Sequence, residues 1–309
     1  MNTALGNSSA DGLGVRVLTE RELAGWQHEG GRRIVLRNGR YWWDHWGFYR
    51  LLHFTATIPA DRLTRPGALC WAYQALLPES DAHKANSSYL LHLIRDLSTF
   101  DQAALSGNAR KELRRCEADL RVVRVNDPDL LRDQGWAVFS QNAQRLDRGA
   151  EVTEEAYLAG VDDLVGDTRR LILGAMDGDK LLAYITTYAV EDTVYTAETY
   201  HSDEALSRRM SGYLPYETAQ VYRRSGLVKQ LCAGPPLPER MGISDYKKRW
   251  GMPIVQMPAR FWSPKPIQAA LKVVRPVAYY RATGLPMPSK FTGRPEPSVT
   301  GPGSTIAHG

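Results

Sequence analysis

The stretch RLILGAMDGDKLLAYITTYAVEDTVYTAETYH, Arg170 to His201, decides the fold. The turn Asp177-Gly178-Asp179 divides two apolar runs, RLILGAM and KLLAYITTYAV, and Glu191-Asp192 separates the second from TVYTAETYH. An Asp-Gly turn between β-branched and aromatic runs is a strong hairpin signal, so three consecutive strands are expected. YLPYETAQVYRRS (213–225) then reads as a helix that stops at Gly226, where a glycine accepts the left-handed end conformation. VKQLCAG reads as a buried strand, ISDYKKRWG as a short amphipathic piece and PIVQMPARFW as a last strand. A helix from about Ile267 to Tyr280 is expected to close the fold. This succession predicts an α/β (α+β) arrangement on a mixed, mostly antiparallel sheet flanked by helices.

Upstream, Thr19 is placed to cap a helix beginning at Glu20. The aromatic run Tyr41 to Tyr49 favours strands, as do GALCWAYQALL and SSYLLHLI, with the polar loop PESDAHKAN between these two. Near residue 97 the pattern changes to a short helix, a Ser106-Gly107-Asn108 break and a basic helix from about Ala109 to Asp119. A strand at Leu120 to Val125 follows, and Asp127-Pro128 and Thr153 open two further helices, through about Leu146 and Val165. The chain is therefore divided into a flexible 1–14, a first half over 15–165, a second half over 166–283 and a disordered tail over 284–309.

Composition narrows the function classes. Of 309 residues 43% are hydrophobic and 24% charged, the balance of a globular protein rather than a disordered chain, coiled coil or fibre. Cys70, Cys116 and Cys232 cannot all pair, which excludes a disulfide scaffold and points to a reducing compartment. No run approaches a membrane span, and the first residues carry no secretory pattern, so a cytoplasmic protein is expected. The net charge of +5 suits a polyphosphate-bearing small molecule or RNA without requiring either. GxxxxGK[ST], GxGxxG, HExxH, paired CxxC and GxSxG are all missing, and the seven histidines show no metal-ligand spacing, so no metal is expected. His201, at a strand end, is the histidine to watch, although a half-exposed, locally hydrogen-bonded ring is what is expected there.

Three clusters remain. Ser207-Arg208-Arg209-Met210-Ser211-Gly212-Tyr213 lies between a strand and a helix start, where outward backbone N–H groups and two arginines would cradle phosphate. The alternative is an ordinary helix-start turn on a basic surface. Asp245-Tyr246-Lys247-Lys248-Arg249-Trp250-Gly251 offers a phenol and a cation, or else merely packs Tyr246 against Trp250. Arg110, Lys111 and Arg114 form a positive stripe on the basic helix, or a plain solvated face.

On these residues a resemblance can be stated. LSGNARKELRRCEADLRVVRV (105–125) resembles the segment of FemAB-like and related GNAT-superfamily proteins in which a small-residue turn precedes a basic helix and a strand. The stretch from Leu171 through Ser211-Gly212 to Trp250-Gly251 resembles the acetyltransferase half of that family, of the FemAB-like or acetyltransferase-6 type. Arg209-x-x-Gly212 matches half of the motif [QR]-x-x-G-x-[GA], with Leu214 in its last position.

The resemblance implies a GNAT-like fold, open to division into two degenerate halves. It implies transfer of an acyl group from acyl-CoA, such as acetyl-CoA, to an amine of a small-molecule or peptide acceptor. Aminoacyl-tRNA is the alternative donor, as in the Fem branch, and a non-catalytic GNAT-like binding module is the third possibility. On the enzyme readings Glu198 is the expected base, Tyr246 the acid for the leaving group and Lys247 the stabilising cation. Arg208, Arg209, Ser211, Gly212 and Tyr213 are the expected donor-binding residues, and Arg110 and Arg114 the substrate-binding ones.

Overall fold

The computed structural model describes residues 3–4, 14–145, 152–236 and 241–285. The first strands are β1 (Thr3–Ala4) and β2 (Val17–Leu18), followed by α1 (Glu20–Glu29). Thr19 caps α1 as expected: its side chain accepts from Glu22 N, while the Glu22 carboxylate accepts from Thr19 N at 2.8 Å, a complete capping box. Strands β3 (Ile34–Arg37), β4 (Arg40–His45) and β5 (Phe48–Leu51) form a meander. Its two turns, Asn38-Gly39 and Trp46-Gly47, have positive φ at both residues, the geometry that matches strand twist. β6 (Ala72–Leu76) and β7 (Ser87–Ile94) follow, and the loop between them holds one 3-10 turn, Glu79–Lys84.

Helix α2 (Gly107–Asp119) starts at the cap Ser106, inside the expected break, and leads to β8 (Arg121–Arg124). A π turn, Leu131–Gly135, precedes α3 (Trp136–Arg145), and α4 (Glu154–Gly166) begins after the expected cap Thr153. The predicted end of the first of these helices at Leu146 lies outside the described residues. β9 (Leu171–Asp177), β10 (Lys180–Val190) and β11 (Thr193–His201) are the three strands of Arg170 to His201. Then come α5 (Asp203–Ser207), α6 (Tyr213–Ser225), β12 (Gln230–Cys232), α7 (Met241–Arg249) and β13 (Ile254–Trp262). The single closing helix expected from Ile267 to Tyr280 is instead two, α8 (Lys265–Val274) and α9 (Pro276–Thr283). Pro276 disfavours helical geometry at Arg275, which sits at φ −133°, ψ 60° and breaks the rod. Thr3–Ala4, within the stretch expected to fray, pairs with β8, and the expected tail from residue 286 onward lies outside the described residues.

Among the described residues all thirteen strands join one sheet, in the order β1-β8-β9-β10-β11-β12-β7-β13-β6-β5-β4-β3, with β2 beside β10. The order contains one pattern twice. An antiparallel meander (β3-β4-β5 or β9-β10-β11) is followed by a strand parallel to its last member, β6 beside β5 and β12 beside β11. A further strand then crosses over: β7 pairs with β12, and β13 pairs with β6. β7 and β13 meet antiparallel in the centre.

Successive strand residues point to opposite faces. Ile185 accordingly belongs to a core under α2 and α6 (Leu113, Leu173, Tyr213, Tyr222, Trp250), while Tyr184 belongs to a second core under α3 and α4 (Phe139, Tyr157, Ile172). A third core lies in the first half, where Trp42, Tyr49 and Tyr73 pack beside α1; within the Tyr41 to Tyr49 run Trp42, Asp44, Gly47 and Tyr49 are buried, and His45 and Trp46 are exposed. This core is tied to β11 by a buried hydrogen bond of 2.7 Å between His53 Nδ1 and the Tyr195 hydroxyl. Burial holds the His53 pKa below its ordinary value, so the ring stays neutral and has to find its partners inside. Tyr195→Phe is expected to lower the unfolding free energy by about 1–3 kcal/mol, read from urea denaturation at pH 7.

Candidate functional site

Strands β11 and β12 run parallel but are registered over three residues only, Thr193–Tyr195 against Gln230–Cys232. Beyond Cys232 the chain follows β7 instead: Ala233 N donates to His92 O (2.8 Å) and His92 N to Gly234 O (2.9 Å). β11 continues along β10, with a register shift that pairs Thr187 with Thr196 but Thr186 with Glu198, leaving Ala197 as the extra residue of a bulge. The two parallel strands therefore part at their C-terminal ends, and an open α/β sheet binds ligands in such a crevice.

Glu198 lies on the diverging part of β11, half-buried. Burial, with the neighbouring Glu198 carboxylate, raises the Tyr200 pKa well above its usual value, so the phenol stays protonated beside that carboxylate. Tyr200 packs on Tyr184 (ring centroids 4.7 Å apart) and Phe139 (5.2 Å), which fixes the face that Glu198 shares. Opposite Glu198, the fully buried Thr186 has a hydroxyl with no hydrogen-bond partner among the described residues.

The turn from Arg208 to Gly212 leads from α5 into α6. The N–H groups of Ser211, Gly212 and Leu214 take no backbone acceptor among the described residues, and Pro215 has none to donate. Arg209 sits at φ 60°, an uncommon conformation for a long side chain, with its side chain 75% exposed and 3.9 Å from Glu112 of α2. Arg208 is engaged elsewhere, in ion pairs with Asp177 and Glu204 at 2.8 Å each. Tyr213 is buried in the core under α6, as is Leu214. Gly212 is needed for a reason sequence reasoning missed: a Cβ there would lie 2.0 Å from the Trp250 ring, so the glycine admits an indole on that side. The resemblance from Leu171 to Trp250-Gly251 includes this tryptophan without showing what its ring covers.

Tyr246 and Lys247 stand on α7. Tyr246 faces the core under α2 and α6, its hydroxyl buried without a partner among the described residues and its pKa raised by burial. The Lys247 ammonium donates to Ala233 O at 2.5 Å, at the edge of the crevice, and burial lowers its pKa. Glu198 and Tyr246 thus stand on opposite faces of the sheet, and the gap between β11 and β12 opens between those faces. Arg110 is half-buried and Arg114 exposed on α2, and among the described residues neither makes an ion pair. Arg110 and Arg114, four residues apart, share one face of α2, whereas Glu112, which meets Arg209, lies two residues from each and turns to another side. His201 is not half-exposed as expected but 8% exposed; Nε2 has no partner among the described residues, and burial with the nearby Arg145 lowers its pKa to about 4. Arg145 Nη2 donates to His201 O at 2.5 Å, a contact that no local pattern signals.

No family model matches the chain. No curated protein matches it either. Among solved structures, the C-terminal domain of a putative lysylphosphatidylglycerol synthetase from Agrobacterium fabrum is similar, at 13% identity and TM-score 0.54, covering 89% of this chain and 96% of that one. L-PGS from Bacillus licheniformis is 11% identical with TM-score 0.48 (87% and 99% covered), and FemX is 10% identical with TM-score 0.43 (59% and 64% covered). The likeness to the Agrobacterium domain is one of fold, and it spans both halves. The chain has the GNAT-like mixed α/β fold expected from its sequence.

Two outcomes follow from this geometry. Gly212→Ala is expected to lower stability by about 2–3 kcal/mol, measured by denaturant unfolding, because the Trp250 ring has no room to retreat. Below the turn, burial and nearby Glu117 push the Glu217 carboxyl up to about 7, against the pull of Arg224. A raised carboxyl binds its proton more tightly in the fold, so its stabilising contribution is present at low pH and lost as pH rises through about 7. Glu217→Gln is therefore expected to raise the melting temperature at about pH 8 and to leave it nearly unchanged near pH 4.5, in parallel thermal scans.

Proposed function

We propose that the chain is an N-acyltransferase that moves an acyl group from an activated donor to an amine in the crevice between β11 and β12. The observation that carries this is the parting of the two strands after Tyr195 and Cys232, with Glu198 on the open segment. The neutral amine attacks the donor carbonyl, forming the C–N bond while the bond to the thiol or ribose oxygen breaks. Glu198 takes the proton released from the ammonium, directly or through water. The protonated Tyr200 phenol stands beside that carboxylate. Tyr246 protonates the leaving group, and Lys247, held on Ala233 O, settles negative charge as it develops.

Acyl-CoA is the donor we place first. The N–H groups of Ser211, Gly212 and Leu214 with the exposed Arg209 form the anion-binding end of the crevice, and Arg208 contributes only indirectly, by pinning the turn to Asp177. Aminoacyl-tRNA is the second donor class. The positive face of Arg110 and Arg114 on α2 favours it, as does the name of the Agrobacterium neighbour, a putative lysylphosphatidylglycerol synthetase. The acceptor amine belongs to a small molecule or a peptide.

Thermal-shift titration separates the donors. Acetyl-CoA at 100 times its Kd is expected to stabilise the protein by about 2.7 kcal/mol, and Arg209→Ala to weaken that effect about tenfold in concentration. Stabilisation by charged tRNA alone, lost in Arg110→Ala/Arg114→Ala, moves the assignment to the second donor. With the donor so identified, Glu198→Gln is expected to lower kcat by about 100-fold or more with donor binding intact. No shift with either donor overturns both assignments.

A further inference from the structure

The net positive charge of this chain comes from one segment. Between Tyr246 and Pro295 there are ten Lys or Arg residues and no Asp or Glu, so the remainder, with twenty-nine basic and thirty-four acidic residues, is net negative. Helix α8 lies inside that acid-free segment. No residue of α8 is buried, and Pro266, Ala269, Ala270 and Val273 recur at the spacing of one helix face, all exposed. Val273 is 81% exposed and Val274 71%, and Lys265 and Lys272 are also exposed. The opposite side, Ile267 and Leu271, is half-buried, and α8 packs chiefly against α9, which itself rests on β7.

The neighbouring end of the sheet carries a second apolar point. Trp262, the last residue of β13, pairs with Tyr73 and lies under the Arg65 guanidinium at 4.5 Å; Arg65 in turn donates to Cys70 O. At that same end the β4–β5 turn holds Trp46 at φ 53° and 78% exposed, and Leu69 stands 81% exposed beside it, its carbonyl against Gly47.

We propose that α8, with its exposed valines and flanking lysines, docks this protein on an anionic lipid bilayer surface. An interfacial helix combines an apolar face with Lys and Arg on its flanks, and a surface rich in acidic lipid attracts each basic residue near it. The acid-free charge of the segment supplies the complementarity, and the solvent-facing Pro266-Ala269-Ala270-Val273 stripe favours lipid over a nucleic acid, which would gain nothing from valines. Among the described residues no helix is long and apolar enough to cross a membrane, so the attachment is one of lying on the surface. This inference stands independently of the acyl-transfer assignment.

Co-sedimentation of the full chain with vesicles of phosphatidylcholine containing about one quarter phosphatidylglycerol tests it, with pure phosphatidylcholine as the reference. Binding is expected to the phosphatidylglycerol vesicles, to weaken as salt is raised, and to fall about tenfold or more in Val273→Asp/Val274→Asp with an unchanged melting temperature. Leu227→Asp, an exposed apolar site outside the segment, is expected to leave vesicle binding unchanged. Absence of binding to the phosphatidylglycerol vesicles overturns the proposal, as does binding that the double aspartate variant retains. A dimer in gel filtration that the same variant splits would assign the face to a second copy, and retention of RNA without vesicle binding would assign it to nucleic acid; either result also overturns it.

Discussion

The antiparallel ladder of β7 and β13, from Ile254 opposite His92 to Ala259 opposite Ser87, joins two arrangements that would otherwise each end in an open edge. A bare edge presents unpaired N–H and C=O groups, which a soluble fold has to cover. Here each repeat of the pattern, β3 to β7 and β9 to β13, lends its last strand to the other: β7 leaves β6 to flank β12, and β13 leaves β12 to flank β6. The buried His92 secures the crossing, its Nδ1 facing Met252 O at 2.9 Å and its Nε2 facing the Ser244 hydroxyl at 3.2 Å, so that α7 is fixed to the ladder. Burial lowers the pKa of this imidazole, which keeps it neutral and able to serve as both donor and acceptor.

The crevice is a consequence of that exchange. β12 has three residues, with β11 on one side and β7 on the other, and past Cys232 the chain keeps to β7. β11 is then left with β10 alone, and the bulge at Ala197 turns it further away. Glu198 is presented at an opening because the hydrogen bonds that would close it are spent at the joint between the halves. Trp250 seats the end of α7 against the start of α6 through the space that Gly212 leaves, so the turn carrying Arg209 is anchored by the same helix that bears Tyr246 and Lys247.

Local chemistry was legible wherever it is settled within a few residues. The Asp-Gly turn of β9 and β10, the caps Thr19 and Thr153 and the stop at Gly226 all lie where their side chains or backbone freedom place them, while α2 begins two residues before the expected Ala109, on the cap Ser106. The break at Arg275-Pro276 was equally local and was missed because the apolar periodicity runs through it. The candidate site was legible as a set of segments and not as an arrangement. Arg208 looked like a phosphate ligand until Asp177, from the end of β9, took it up, and the pairing of Thr186 with Glu198 depends on one bulged residue.

By itself the sequence determined the order and kind of the elements, because hairpin turns, helix caps and apolar periodicity act between residues close along the chain. It also determined the charge partition that leaves residues 246–295 free of acid. Only the tertiary structure decided that the two halves exchange strands, that Gly212 makes room for Trp250, and that β11 and β12 part beside Glu198. Those features depend on which distant strand satisfies each unpaired edge and which side chain fills each gap, and such a choice is made by the whole packed molecule at once.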